Sequence, residues 1–71
     1  MNNINKLDFA TYCIGNLARS LNTDERTVYL KLKESDILHG YIIAAYDVLH
    51  TFSKRYLMEE LITLMKKRGV A

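Results

Sequence analysis

Ser53-Lys54-Arg55-Tyr56-Leu57-Met58-Glu59-Glu60-Leu61-Ile62-Thr63-Leu64-Met65-Lys66-Lys67-Arg68-Gly69 reads as one complete helix, from cap to stop. Leu57, Met58, Leu61, Ile62, Leu64 and Met65 stand at offsets 0, 1, 4, 5, 7 and 8, the spacing of a single apolar helix face. Ser53 is a capping residue, and Gly69 supplies the left-handed residue that ends many helices. Glu59 and Glu60 lie early and Lys66, Lys67 and Arg68 late, as the helix dipole prefers. A helix is therefore expected over 54–68.

Working outward from it, the same period recurs at the other end of the chain. Leu7, Ala10, Ile14, Leu17 and Leu21 are spaced by 3, 4, 3 and 4, with Phe9, Cys13 and Ala18 widening the stripe. Lys6, Asn16, Arg19 and Ser20 fall off it. This predicts a helix over 3–21, in which Gly15 costs roughly 1 kcal/mol relative to alanine. Close approach by another helix would account for that glycine. Asn22-Thr23-Asp24-Glu25 is a start signal for a second helix over 24–34, with Val28, Tyr29 and Leu32 facing inward. Ser35-Asp36 reads as a further cap, opening a stretch over 37–50 that is apolar nearly all round. Such a helix belongs at the buried centre of its domain. Gly40 and the β-branched pair Ile42-Ile43 allow it to break in two. The expected architecture is all-α: one small domain over 1–71, a bundle of four helices, or five if the central stretch breaks.

With 71 residues, 49% apolar and 25% charged, the chain matches an ordinary small globular protein. A formal charge of +2 is too small to imply nucleic-acid or membrane binding without a clustered patch. The lone Cys13, with only His39 and His50, cannot build a structural zinc site, so neither metal nor cofactor is expected. No apolar run approaches the roughly 20 residues of a membrane span. Met1-Asn2-Asn3 followed by a charged amphipathic stretch is no secretory leader, so the expected compartment is the cytoplasm. So few residues rarely enclose a substrate pocket, and no small-molecule substrate is expected.

Two stretches carry possible chemistry. Leu17-Ala18-Arg19-Ser20-Leu21-Asn22-Thr23-Asp24-Glu25-Arg26-Thr27-Val28-Tyr29 has the outline of a helix-turn-helix. Arg26, Thr27, Lys31 and Lys33 would be its DNA contacts. Asp24 and Glu25 would repel phosphates from the end of the recognition helix, so any DNA binding should be weak and salt-sensitive. In Tyr46-Asp47-Val48-Leu49-His50-Thr51, the carboxylate and imidazole at i and i+3 can meet on one helix face. An Asp–His pair is the start of an acid–base device, but no nucleophile motif accompanies it, and Cys13 lies in an apolar stripe that makes an inert thiol. The structural reading prevails: no catalytic residue is expected, and His50 is taken to be partly buried and hydrogen-bonded. Five tyrosines, Tyr12, Tyr29, Tyr41, Tyr46 and Tyr56, supply rings with polar tips, a residue type enriched at interfaces.

Tyr41-Ile42-Ile43, the 46–51 motif, Ser53 and Tyr56 together resemble a family of short bacterial proteins known as a domain of unknown function, number three-seven-nine-one. The resemblance runs from about Phe9 to Val70 and takes in Tyr12-Cys13-Ile14 and Asp36-Ile37-Leu38. Ala44 stands where members often have proline, and Phe52 where a polar residue is usual. The resemblance implies no established activity. It does imply a partner, since members are often encoded beside a family resembling ADP-ribosyltransferase toxins, in an antitoxin-like or accessory role. Composition and periodicity alone do not say what the chain does. The expectation is a cytoplasmic, non-enzymatic interaction module that binds a protein partner or itself. Tyr46, Asp47, His50, Thr51 and Tyr56 are its candidate site. A small helix-turn-helix DNA-binding regulator is the alternative.

Overall fold

A computed structural model describes residues 3–71, with side chains from Asn5 onward. Met1-Asn2, part of the reading against a leader, lie outside the described residues. The chain is all-α, with no strand among the described residues: α1 (Asn3–Ser20), α2 (Glu25–Glu34), a π-helical segment (Leu38–Ile43), α3 (Tyr46–Leu49) and α4 (Lys54–Lys67). α1 packs on α2, on the π-helical segment and on α4, so it is the hub of the bundle.

Capping fixes the ends. Asp24 takes an extended backbone and its carboxylate accepts the Thr27 amide at 2.6 Å; Ser53 does the same for the Tyr56 amide at 3.2 Å. The carboxy-terminal ends share a second device. Asn22, Asp36 and Gly69, each just beyond a helix, have positive φ of 54°, 63° and 72°. After α1, the Thr23 amide donates to the Ala18 carbonyl and that of Asn22 to Arg19; after α4, Val70 donates to Met65 and Gly69 to Lys66. Both are Schellman closures. The reading of Ser35-Asp36 as a cap that opens a new helix is corrected in part: the Asp36 carbonyl does accept the Gly40 amide at 2.9 Å, the first bond of the central stretch, but no side chain caps that stretch. Ser35 closes α2, its hydroxyl donating to the Leu32 carbonyl, while Asp36 takes the left-handed turn. Its carboxylate then folds over Gly40 so closely that a side chain there would collide with it.

The core gathers Ala10, Cys13, Leu17 and Ala18 of α1, Val28 and Leu32 of α2, Ile37, Leu38, Ile42 and Leu49 of the central stretch, and Leu57, Met58, Leu61 and Met65 of α4. Several expectations are corrected by it. Leu7 is 58% exposed, because the α1 stripe runs past the end of the elements that cover it. Asn16, expected off the stripe, is buried; its amide donates to the Tyr12 carbonyl at 2.8 Å and its oxygen accepts from Arg19 at 3.0 Å, so the burial leaves no polar atom orphaned. Tyr29 faces outward, beneath the Lys33 ammonium. Gly15 meets only the side-chain tips of Glu25 and Arg19, at 3.8 and 3.9 Å, so no helix approaches it closely.

The central stretch departs most from expectation. It breaks at Ala44-Ala45, beyond Gly40 and Ile42-Ile43, and its first half winds as a π-helix. Only Ile37, Leu38, Ile42 and Leu49 are buried; Ala44 is exposed and Val48 is 59% exposed. Three neighbouring helices in so short a chain cannot surround a fourth.

Candidate functional site

The 46–51 motif falls across α3 and the turn that follows it. α3 is a single turn, and its two ends place the motif's two rings on one side. The His50 imidazole stacks on the Tyr46 ring at 4.7 Å and 15°. The same ring meets that of Phe9 in a T-shaped pair at 5.3 Å and 74°, and Phe9 in turn stacks on Tyr12 at 6.3 Å and 22°. Four rings, Tyr12, Phe9, Tyr46 and His50, therefore form a continuous row from α1 to α3. Tyr12 and His50, at its two ends, are exposed, while Phe9 and Tyr46 between them are half-buried. Aromatic pairs of this geometry add about 0.5–1.5 kcal/mol each beyond the area they bury.

The sequence reading puts Tyr46 and His50 in one candidate site but pairs His50 with Asp47. Asp47 and His50 do not pair; Asp47 is exposed, and the imidazole turns to Tyr46 instead. His50 is itself exposed, contrary to the expectation of a buried, hydrogen-bonded imidazole. One α-helical turn fixes directions only loosely, and a ring face offers an imidazole more contact than a solvated carboxylate does. Thr51 donates its hydroxyl to the Val48 carbonyl at 2.6 Å, which ends α3. Tyr56 stands apart from the row, edge-on to Phe52 at 4.8 Å. Phe9 and Tyr12 were missed as site residues. Their spacing of three on one helix was the available signal, but nothing in the sequence tied that face to residue 46.

The remaining chemistry-bearing groups are quiet. Cys13 is fully buried, and burial pushes its thiol up to about 12, well away from a reactive thiolate. The Thr27 backbone amide, then the Thr27 hydroxyl, hold the Asp24 carboxyl below its ordinary value. That negative charge stays at the start of α2, beside Glu25, where a DNA-reading helix would need to accept phosphate. Arg26 and Lys33 are exposed on α2, Thr27 and Lys31 half-buried. No three metal-binding side chains gather among the described residues. None of the described helices is long and apolar enough to cross a membrane. The best-formed concavity, a groove of about 160 Å³ beside Tyr41 and α4, is smaller than the roughly 300–1,000 Å³ of ordinary small-molecule sites.

A family model described as "Protein of unknown function (DUF3791)" matches residues 8–68. No curated protein and no solved structure matches the chain.

Proposed function

The chain belongs to the DUF3791 family, and from that premise we propose that it is a non-enzymatic protein-interaction module, an antitoxin-like or accessory partner of an ADP-ribosyltransferase-like toxin. The aromatic row Tyr12–Phe9–Tyr46–His50 carries the reading. It joins the family-like motif to α1 and ends in exposed rings, the residue type that anchors interfaces. Leu7 and Val48, on the same two helices, are exposed at 58% and 59%, more than any other large apolar side chain described. The toxin-side partner rests on the family resemblance alone. A cytoplasmic setting suits such a partner.

Sedimentation of the purified chain, alone and with the product of the neighbouring gene, tests the proposal. The expected complex buries on the order of 1,000 Å² or more. Tyr12→Ala, which leaves the core untouched, should weaken it about thirtyfold, as loss of an aromatic anchor does. A strictly monomeric chain without affinity for that product would sink the reading.

One observation favours a second function. α1 and α2 pack together across the short turn 21–24, as in a helix-turn-helix, with Arg26, Thr27, Lys31 and Lys33 on α2. Asp24 and Glu25 stand against it. Sequence-specific DNA binding at nanomolar concentration in about 0.15 M salt would reverse the order of the two readings.

A further inference from the structure

Glu60, Thr63, Leu64 and Lys67 lie on one face of α4 and, with Tyr41 and Arg68, line the 160 Å³ groove. Two helical turns, roughly 10 Å along the axis, separate the acid at one end from the base at the other. Glu60 is half-buried, yet among the described residues no hydrogen bond or ion pair engages it or Lys67; the Arg55–Glu59 pair lies outside the groove. A carboxylate that has lost part of its hydration without gaining a partner is poised to take a cation. At the opposite end, the Arg68 guanidinium donates one N–H to the Ser35 carbonyl. That bond ties α4 to the end of α2 and holds the guanidinium at the groove mouth, with its other donors unused. Tyr41 contributes an un-ionised hydroxyl, since burial, then the Glu60 and Tyr56 charges, raise its pKa above the ordinary phenol value.

We propose that this groove binds a small zwitterion of the α-amino-acid type, its ammonium on Glu60, its carboxylate on Lys67 and Arg68, and its apolar side chain on Leu64. The volume excludes a drug-sized molecule and suits a ligand of this class. A ligand with one charge would satisfy one end and meet repulsion at the other. The groove shares no residue with the aromatic row, so this site and the protein-interaction reading stand or fall separately.

Amide shifts of the isotope-labelled full chain, titrated with L-leucine, N-acetyl-L-leucine and L-leucinamide, provide the test. The two analogues each lack one of the two charges. L-Leucine should give saturable shifts at Tyr41, Thr63 and Lys67 with a midpoint on the order of 1 mM. Either blocked analogue should bind at least about tenfold more weakly, and Glu60→Gln should impose the same loss on L-leucine. Lys67→Met, at an exposed position, gives the matching result from the other end and keeps the test open if the Glu60 variant folds poorly. Equal shifts from all three compounds, unchanged affinity in the variants, or no saturation with L-leucine would overturn the proposal.

Discussion

The imidazole of His50 rests on the face of Tyr46 and reaches no carboxylate, so its removal takes away a ring contact and leaves no polar group stranded. His50→Ala should therefore cost about 0.5–1.5 kcal/mol, the worth of one aromatic pair. His50→Phe, which keeps a ring there, should recover most of it. Urea unfolding of the three proteins gives the comparison. A loss well above that range, unrecovered by Phe, would mean that the nitrogens of His50 do carry a structural hydrogen bond. The motif's residue types were legible as a site; which of them touch was not, because a spacing of three allows a contact without selecting it over a ring brought from another helix.

At the scale of elements, the three left-handed residues after α1, α2 and α4 share one geometry but differ in fitness for it. Gly69 takes φ of 72° without a Cβ to obstruct it, whereas Asn22 and Asp36 hold their positive φ against steric cost. Asn22→Gly should raise stability, by up to about 1 kcal/mol, and Asn22→Ala should lower it by a similar amount. Thermal melts of both variants check the sign, and a stabilising alanine would refute the left-handed assignment. The sequence marked Gly69 as a stop because glycine is the usual residue there. Asn22 and Asp36 belong to the same class of tolerant residues, but Asn and Asp also begin helices, and both were assigned to starts. Local composition does not separate the two uses. The direction in which the preceding helix's carbonyls find donors does.

For the molecule as a whole, Cys13 reports on opening. It sits on α1, fully buried in the core, and with burial pushing its thiol up to about 12 very little of it is ionised at pH 8. Alkylation of the native chain at pH 8 should be far slower than that of a free thiol and should accelerate with urea in step with loss of helical signal. Rapid labelling without denaturant would show that the hub helix opens by itself. The thiol also sets a sign. Its pKa is raised on folding, so its contribution to stability is complete below the unfolded value near 9 and is lost as pH rises toward about 12. Stability should fall across that alkaline window, and Cys13→Ser, which removes the titration, should flatten that part of the profile.

The sequence by itself determined α1, α2 and α4 to within a residue or so, and the cap at Ser53, because an apolar period of 3.6 and a capping side chain act within a few residues of one another; that Asp24 caps α2 and does not form its first turn is a finding of the structure. It also fixed the all-α class, since no stretch alternates as a strand would. What only the tertiary structure decided is where the central stretch winds and breaks, which of its apolar residues reach the core, and that Phe9, stacked on Tyr12, meets Tyr46. An apolar side chain is buried only where another element arrives to cover it. With α2 and α4 both packed on α1, there is cover for Ile42 and Leu49 and none for Val48.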